Sequence, residues 1–241
     1  MKVSIIVPAF NEEKLIAESL RCISAARAAL SARGWASELI VCDNNSSDRT
    51  LELAQAGGAR VVFEPINQIA RARNKGAEVA TGDWLLFIDA DSQPTSELFA
   101  DMANAIQSGT VLAGGSTIRL DASHSAARLG SKLWNCISLT TRSVAGSFIF
   151  CEASAFRRLG GFNLNLFASE ELDLGKRLRK LARQSGKRVV ILRKHPLTTS
   201  ARKFHLYSVR EYFRFLGRTV FGLGRTLRSA EECYIWYDGR R

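Results

Sequence analysis

The sequence predicts an α/β domain built on a mainly parallel central sheet with helices on both faces. Three observations carry this. Short apolar runs rich in Val and Ile alternate with longer stretches of helical period, and strand–helix–strand repetition favours parallel pairing. The intervening helical stretches end in Gly, a common stop. The chain has 241 residues, 46% of them apolar, enough for one large α/β core.

Taken in order, "VSIIVPAF" (3–10) reads as the first buried strand, and "EEKLIAESLRCISAARAALSARG" (12–34) as the helix after it. The strand "ELIVCD" (38–43) is followed by the helix "SDRTLELAQAGG" (47–58). The strand "ARVVFEP" (59–65) is followed by "QIARARNKGAEVATG" (68–82), and "DWLLFIDAD" (83–91) closes the regular part. After about residue 110 the order loosens. "TVLAGGSTIRL" (110–120) and "GSFIFCEASAF" (146–156) read as strands flanking a helix around 124–142. "SEELDLGKRLRKLARQSG" (169–186) is a helix with Ser169 as N-cap and Gly186 as stop. "KRVVILRK" (187–194) is a last strand, and 205–229 is a long basic helix. No linker, low-complexity tract or internal repeat interrupts this order.

Lys and Arg number 34 against 23 Asp and Glu, a net charge of +11. That balance suits an anionic partner such as a nucleotide, a nucleic acid or an acidic membrane face, although a solvated basic surface fits it too. The cysteines at 22, 42, 136, 151 and 233 are odd in number and form no CxxC pair, which argues against a zinc site or a disulfide framework and for reduced cytosolic thiols. The opening apolar segment is too short for a signal peptide, and no run approaches the roughly 18 apolar residues of a membrane span.

The chemistry gathers at the strand ends. Asp89 and Asp91 are one residue apart, so on a strand both carboxylates face one side. Two hard oxygen donors in an open site suit Mg²⁺ or Mn²⁺ holding a diphosphate, while a solvated strand-end turn is the plain alternative. Three other clusters support the first reading. "PAFNEE" leaves strand one, "CDNNSSD" leaves strand two, and "ARARNKG" lies on the next helix. Pro8 and Asn11 suit a sharp strand exit, Asp43 could accept hydrogen bonds from a base or ribose, and Arg71 and Arg73 could pair with phosphate. In open α/β sheets ligands bind beyond the carboxyl ends of the strands.

In these motifs the chain resembles the family 2 glycosyltransferases. The likeness lies in "VSIIVPAFNEE", "LIVCDNNSSDRT", "ARARNKGAEVATGDWLLFIDADS", "FRRLGGFN" and "SEELDLGKRLRK", and covers roughly residues 1–195. It implies a GT-A fold, Rossmann-like, and an inverting, metal-dependent transfer from a nucleotide-diphosphate sugar. Pro8, Ala9, Asn11 and Glu13 would line the nucleoside pocket and Asp43 would contact the base. Arg73 and the Asp89–Ala90 edge would hold the donor, and Asp89 and Asp91 would bind the metal. The catalytic base of such enzymes is the second acid of an "ED" pair; here the pair reads "EE", which places Glu171 in the role and Glu170 as its alternative. An ionised carboxylate at a helix N-terminus suits either a base or a simple dipole partner. His195 is a candidate third metal or diphosphate contact, set against the usual structural role of a lone histidine.

The expected layout is a catalytic domain over 1–200, its nucleotide part about 1–110 and its acceptor part about 111–200, then a basic amphipathic helical extension over 201–241. On a helix, Arg210, Arg214, Arg218, Arg225 and Arg228 share an arc of roughly 80°. This face either stays solvated while the apolar side packs on the domain, or rests on an anionic membrane surface. The expected partners are a UDP-sugar and a glycan or lipid-linked acceptor of cell-envelope type, not nucleic acid. The expected location is cytoplasmic, with the inner membrane face as a peripheral contact. A basic membrane-associated adaptor with a degenerate fold is the alternative, and it leaves the acidic pairs without a purpose.

Overall fold

The computed structural model describes residues 1–121, 135, 136, 138–140, 146–202, 211, 214, 218, 225–233 and 237. In chain order the elements are β1 (Lys2–Ala9), α1 (Ile16–Ala26), α2 (Ala28–Ser31), β2 (Ala36–Asp43), α3 (Thr50–Ala56), β3 (Arg60–Phe63), α4 (Ile69–Glu78) and β4 (Trp84–Ile88). There follow β5 (Ser92–Gln93), α5 (Ser96–Gln107), β6 (Val111–Asp121), β7 (Phe148–Glu152), α6 (Ala153–Arg158), α7 (Glu170–Gln184), β8 (Arg188–Ser200) and a 3₁₀ turn at Arg225–Arg228. The eight strands form one sheet in the order β3-β2-β1-β4-β7-β6-β8-β5.

The first half is parallel, as the alternation of apolar runs and helices predicts. β1 pairs with β2 from Lys2–Ala36 to Ala9–Asp43, and with β4 from Val3–Trp84 to Ile6–Phe87. These registers bring the carboxyl ends of the strands together, with Ala9 beside Asp43. Alternation along the strands divides the core. Val3, Ile5, Val7, Leu86 and Ile88 pack with α1 and α5, whereas Ile6, Ile40, Leu85 and Phe87 pack with α4, α6 and α7. Among the described residues no helix is long and apolar enough to cross a membrane.

The second half is mixed. β7 runs antiparallel between β4 and β6, β6 runs parallel to β8, and β5 closes the sheet antiparallel to β8. The run "GSFIFCEASAF" is a strand only to Glu152, after which α6 begins. β8 continues six residues past the expected 194, because Leu197–Ser200 pairs with Ile118–Asp121 and Thr198 and Thr199 pair with β5. Helix α5 was not anticipated. Its signal is ordinary: Thr95 accepts a hydrogen bond from the Leu98 amide, and Leu98, Phe99, Met102, Ala103 and Ile106 are buried at helical spacing.

α7 spans the expected stretch, but Ser169 does not cap it through its hydroxyl. Its backbone is left-handed (φ 63°) and its carbonyl accepts from Leu172 and Asp173 instead. Gly186 does stop the helix with φ +66°, and the Lys187 amide donates to the Ala182 carbonyl. Of the helix expected around 124–142, residues 135, 136 and 138–140 are helical and the rest lies outside the described residues. In the C-terminal extension Glu211, Arg214 and Arg218 are helical, but Arg225–Arg228 is a 3₁₀ turn, so one unbroken α-helix does not reach 229. The common arc therefore loses Arg225 and Arg228, and Arg210 lies outside the described residues.

Candidate active site

The carboxyl ends of β1, β2 and β4 open into a cleft connected to solvent. Pro8, Ala9, Phe10 and Glu12 line it from the exit of β1, Asn44 from the exit of β2, and Asp89, Ala90 and Asp91 from the exit of β4. Asn67, Ile69 and Ala72 contribute the start of α4, and Tyr237 arrives from the C-terminal extension. The lining thus includes Pro8, Ala9, Asp89, Ala90 and Asp91 from the residues that the sequence singles out.

Asn11 and Glu13 have another position: they sew two strand exits together. Asn11 has φ 51°, and its Oδ1 accepts from the Ser47 amide at 2.8 Å while its own amide donates to Ser46 Oγ at 3.0 Å. The Glu13 amide donates to Asp48 Oδ2 at 3.1 Å, and its carboxylate accepts from the Arg49 amide at 3.3 Å. Asp43 is buried at the end of β2 and accepts from the Ser46 amide at 3.3 Å. Next to it, Asn44 holds the approach to α4: its Nδ2 donates to the Glu64 and Ile66 carbonyls, and its Oδ1 accepts from the Gln68 amide.

Arg73 is the hub. It is 3% exposed, and its Nη2 donates to Asp89 Oδ1 at 2.9 Å while its Nη1 donates to Glu170 Oε1 at 2.5 Å. Its guanidinium carbon lies 5.2 Å from the centre of the Phe162 ring, within cation–π range. Burial works against its charge, but Asp89, Glu170 and Glu171 outweigh that and keep it protonated. The terminal nitrogens thus hold one metal-candidate aspartate and one of the two base candidates. Arg71 lies elsewhere, in a groove with Glu64, Lys75 and Glu78.

The two glutamates have unlike settings. Glu170 is 3% exposed; burial pushes its carboxyl up, the neighbouring Glu171 adds to this, and Arg73 opposes it. Glu171 is only partly buried and hydrogen-bonds with Glu170. Asp173 accepts from Arg177 Nε at 2.8 Å, one helical turn on. Arg177 also donates to the Leu159 and Gly161 carbonyls, and Asn74 exchanges two 2.9 Å hydrogen bonds with the Phe162 backbone. The "GGFN" turn is therefore clamped from two helices. A Cβ on Gly161, where φ is +73°, would lie 2.5 Å from Asn74 Oδ1.

Asp91 Oδ1 accepts from Thr199 Oγ1 at 3.3 Å, and its carbonyl accepts from the Ser200 amide. Just past β8, Arg202 Nη2 reaches both carboxylate oxygens of Glu12 at 2.8 Å. Sequence reasoning did not single out Arg202, Glu12, Asn44 or Tyr237; isolated positions such as these carry no periodic signal. His195 does not join the aspartates. Its Nδ1 lies 2.9 Å from Asp101 Oδ2 on α5. Among the described residues no group of three or more His, Cys, Asp or Glu converges on a metal position, and all five cysteines are free.

Residues 4–158 match the family described as Glycosyl transferase family 2. The chain is 33% identical over 124 residues to a dolichol-phosphate mannosyltransferase of Pyrococcus furiosus, covering 48% of this chain and 33% of that protein. It is 32% identical over 164 residues to an undecaprenyl-phosphate 4-deoxy-4-formamido-L-arabinose transferase of Pseudomonas aeruginosa, covering 65% of this chain and 47% of that protein. It thus spans less than half the length of these curated relatives. Among solved structures, S. aureus TarS 1-349 with UDP-GlcNAc superposes with TM-score 0.67 at 20% identity, over 99% of this chain and 71% of that one. A mannosyltransferase of Pyrobaculum calidifontis with GDP-Man and Mn²⁺ gives TM-score 0.64 at 20% identity, over 95% and 62%. The shared architecture is the GT-A fold.

Proposed function

The chain belongs to glycosyl transferase family 2, and from that premise we propose that it moves a sugar, with inversion, from a nucleoside-diphosphate donor to an acceptor hydroxyl. The observation that carries this reading is the pair Asp89 and Asp91 at the end of β4, lining the cleft where the parallel strands end. The donor's nucleoside would sit against Pro8 and Ala9, above Asp43. Its diphosphate would lie toward Asp91, with the Arg202 guanidinium behind it at Glu12.

Two carboxylates on one cleft wall, with no third protein ligand converging among the described residues, fit a divalent cation that takes its remaining ligands from diphosphate and water. When bound there, Mg²⁺ or Mn²⁺ would offset the negative charge that develops on the leaving diphosphate. Arg73 fixes Asp89 from behind, so that carboxylate is oriented before any ligand arrives. Glu171 accepts the acceptor's proton as its oxygen attacks the anomeric carbon from the side opposite the nucleotide. Glu170 keeps its place against Arg73 and positions the helix end. An acceptor borne on a lipid is the preferred class, because the relatives from Pyrococcus furiosus and Pseudomonas aeruginosa are named for lipid phosphates; an ionised phosphate oxygen would attack without a proton for Glu171 to take, so the Glu171 step applies to a hydroxyl on such a lipid.

The test is a screen of UDP-, GDP- and TDP-sugars for thermal stabilisation and turnover, with and without Mn²⁺. Donor at a hundredfold excess over Kd should stabilise the fold by about 2.7 kcal/mol. Asp91→Asn should keep the fold, lose metal-dependent stabilisation and lose turnover. Full turnover of Asp91→Asn in EDTA would remove the metal from the mechanism.

A further inference from the structure

We propose that Tyr237 is a wall of the donor cleft that positions the nucleoside diphosphate, which makes the C-terminal segment part of the active site. The inference rests on the donor-cleft reading above and adds to it a residue that lies outside the stretch matched by the family.

Three independent features place Tyr237 there. It lines the same cleft as Pro8 and Asp89. Its hydroxyl accepts a hydrogen bond from the Ile69 amide, the first residue of α4, at 3.3 Å. Its ring meets Phe167 edge to face, with centroids 5.6 Å apart and planes at 77°. The segment that delivers it is anchored nearby. The Phe167 amide donates to the Leu227 carbonyl at 2.7 Å, Thr226 and Cys233 are buried, and Cys233 Sγ donates to the Thr226 carbonyl.

The ring is a wall and not a plug. With Tyr237 in place the cleft remains open to solvent at the carboxyl ends of the parallel strands. Burial holds the phenol above its ordinary pKa, so it stays neutral. A neutral phenol that accepts one hydrogen bond retains its own proton to donate, here to a ligand oxygen. Its second effect runs through α4. Ile69 and Arg73 are one helical turn apart, so fixing the start of the helix also fixes the arginine that orients Asp89.

The experiment uses the full chain and measures Kd for UDP and GDP with Mn²⁺ by calorimetry, then KM and kcat for the donor that the screen identifies. Tyr237→Ala should weaken nucleotide binding about tenfold or more and raise donor KM more than it lowers kcat. Tyr237→Phe, which keeps the ring, should lose less. A melting curve run beside each titration separates folding from binding. A lower melting temperature with unchanged Kd would reduce Tyr237 to a packing residue and overturn the proposal. Tighter binding in Tyr237→Ala would overturn it as well, since the ring would then obstruct. If the wild type binds neither nucleotide, the transferase reading itself falls and this one falls with it.

Discussion

Arg73 holds Asp89 and Glu170 at once, and that single side chain separates the duties of two adjacent glutamates. Glu170 faces inward as the acceptor of a buried guanidinium, whereas Glu171 is left partly exposed beside it. Glu171→Gln should therefore lower turnover on the order of 10²-fold or more with the melting temperature unchanged. Glu170→Ala should instead destabilise by about 3 kcal/mol, because a buried Arg73 nitrogen loses its acceptor. Glu170→Gln, whose carbonyl can still accept, should recover most of that loss. Steady-state kinetics and thermal melts on the three variants decide the matter. A dead Glu170→Gln beside an active Glu171→Gln would move the base to Glu170. Sequence alone exposed the acidic pair but not this division, since the burial of Glu170 depends on a partner 97 residues away.

At the scale of elements, the parallel half was legible because each strand carries a short apolar run, and β1 and β4 are buried along nearly their whole length. What stitches those strands at their amino ends was not. Glu38, on β2, accepts from the Ser4 hydroxyl of β1 and from the amide and hydroxyl of Thr81, ahead of β4, and pairs with Lys2. Desolvation would raise its carboxyl, but these hydrogen bonds prevail and bring it down to about 2. The folded state favours the ionised form, so its contribution is complete above the unfolded carboxylate range and is lost as pH falls from about 4.5 toward 2. Glu38→Gln should cost about 1–3 kcal/mol at pH 7 and flatten the acid limb of the stability curve. Denaturant melts from pH 7 to pH 2 measure both; parallel curves for wild type and variant would show that the staple carries no pH-dependent stability. Antiparallel β7 and the extension of β8 escaped the sequence for a related reason: strand direction and length there are set by neighbours, not by local pattern.

For the whole molecule, the net charge of +11 is not evenly spread. Lys176, Arg179, Lys180 and Arg183 stand together on α7, and Arg214, Arg218, Arg225 and Arg228 are exposed after β8. The extension is also tied to the domain through Leu227 and Tyr237. Packing and basic exposure, which look like alternatives in the sequence, are thus compatible in the fold; the anchoring residues have no regular spacing to announce them. A peripheral contact with an anionic leaflet would bring a lipid-linked acceptor to the cleft without a spanning helix. Each basic side chain near such a surface adds about 1 kcal/mol, so four would shift partitioning roughly a thousandfold, less whatever the Arg218–Glu232 pair cancels. Flotation with anionic vesicles should recover the protein at low salt and release it at high salt, by screening. Replacing Arg214, Arg218, Arg225 and Arg228 with Gln should abolish recovery if the extension is the contact. Replacing the four α7 residues should do so if the basic face is there instead. Equal recovery with neutral and anionic vesicles, or none with either, would leave the arginines as solvated charge and the extension with its packing role alone.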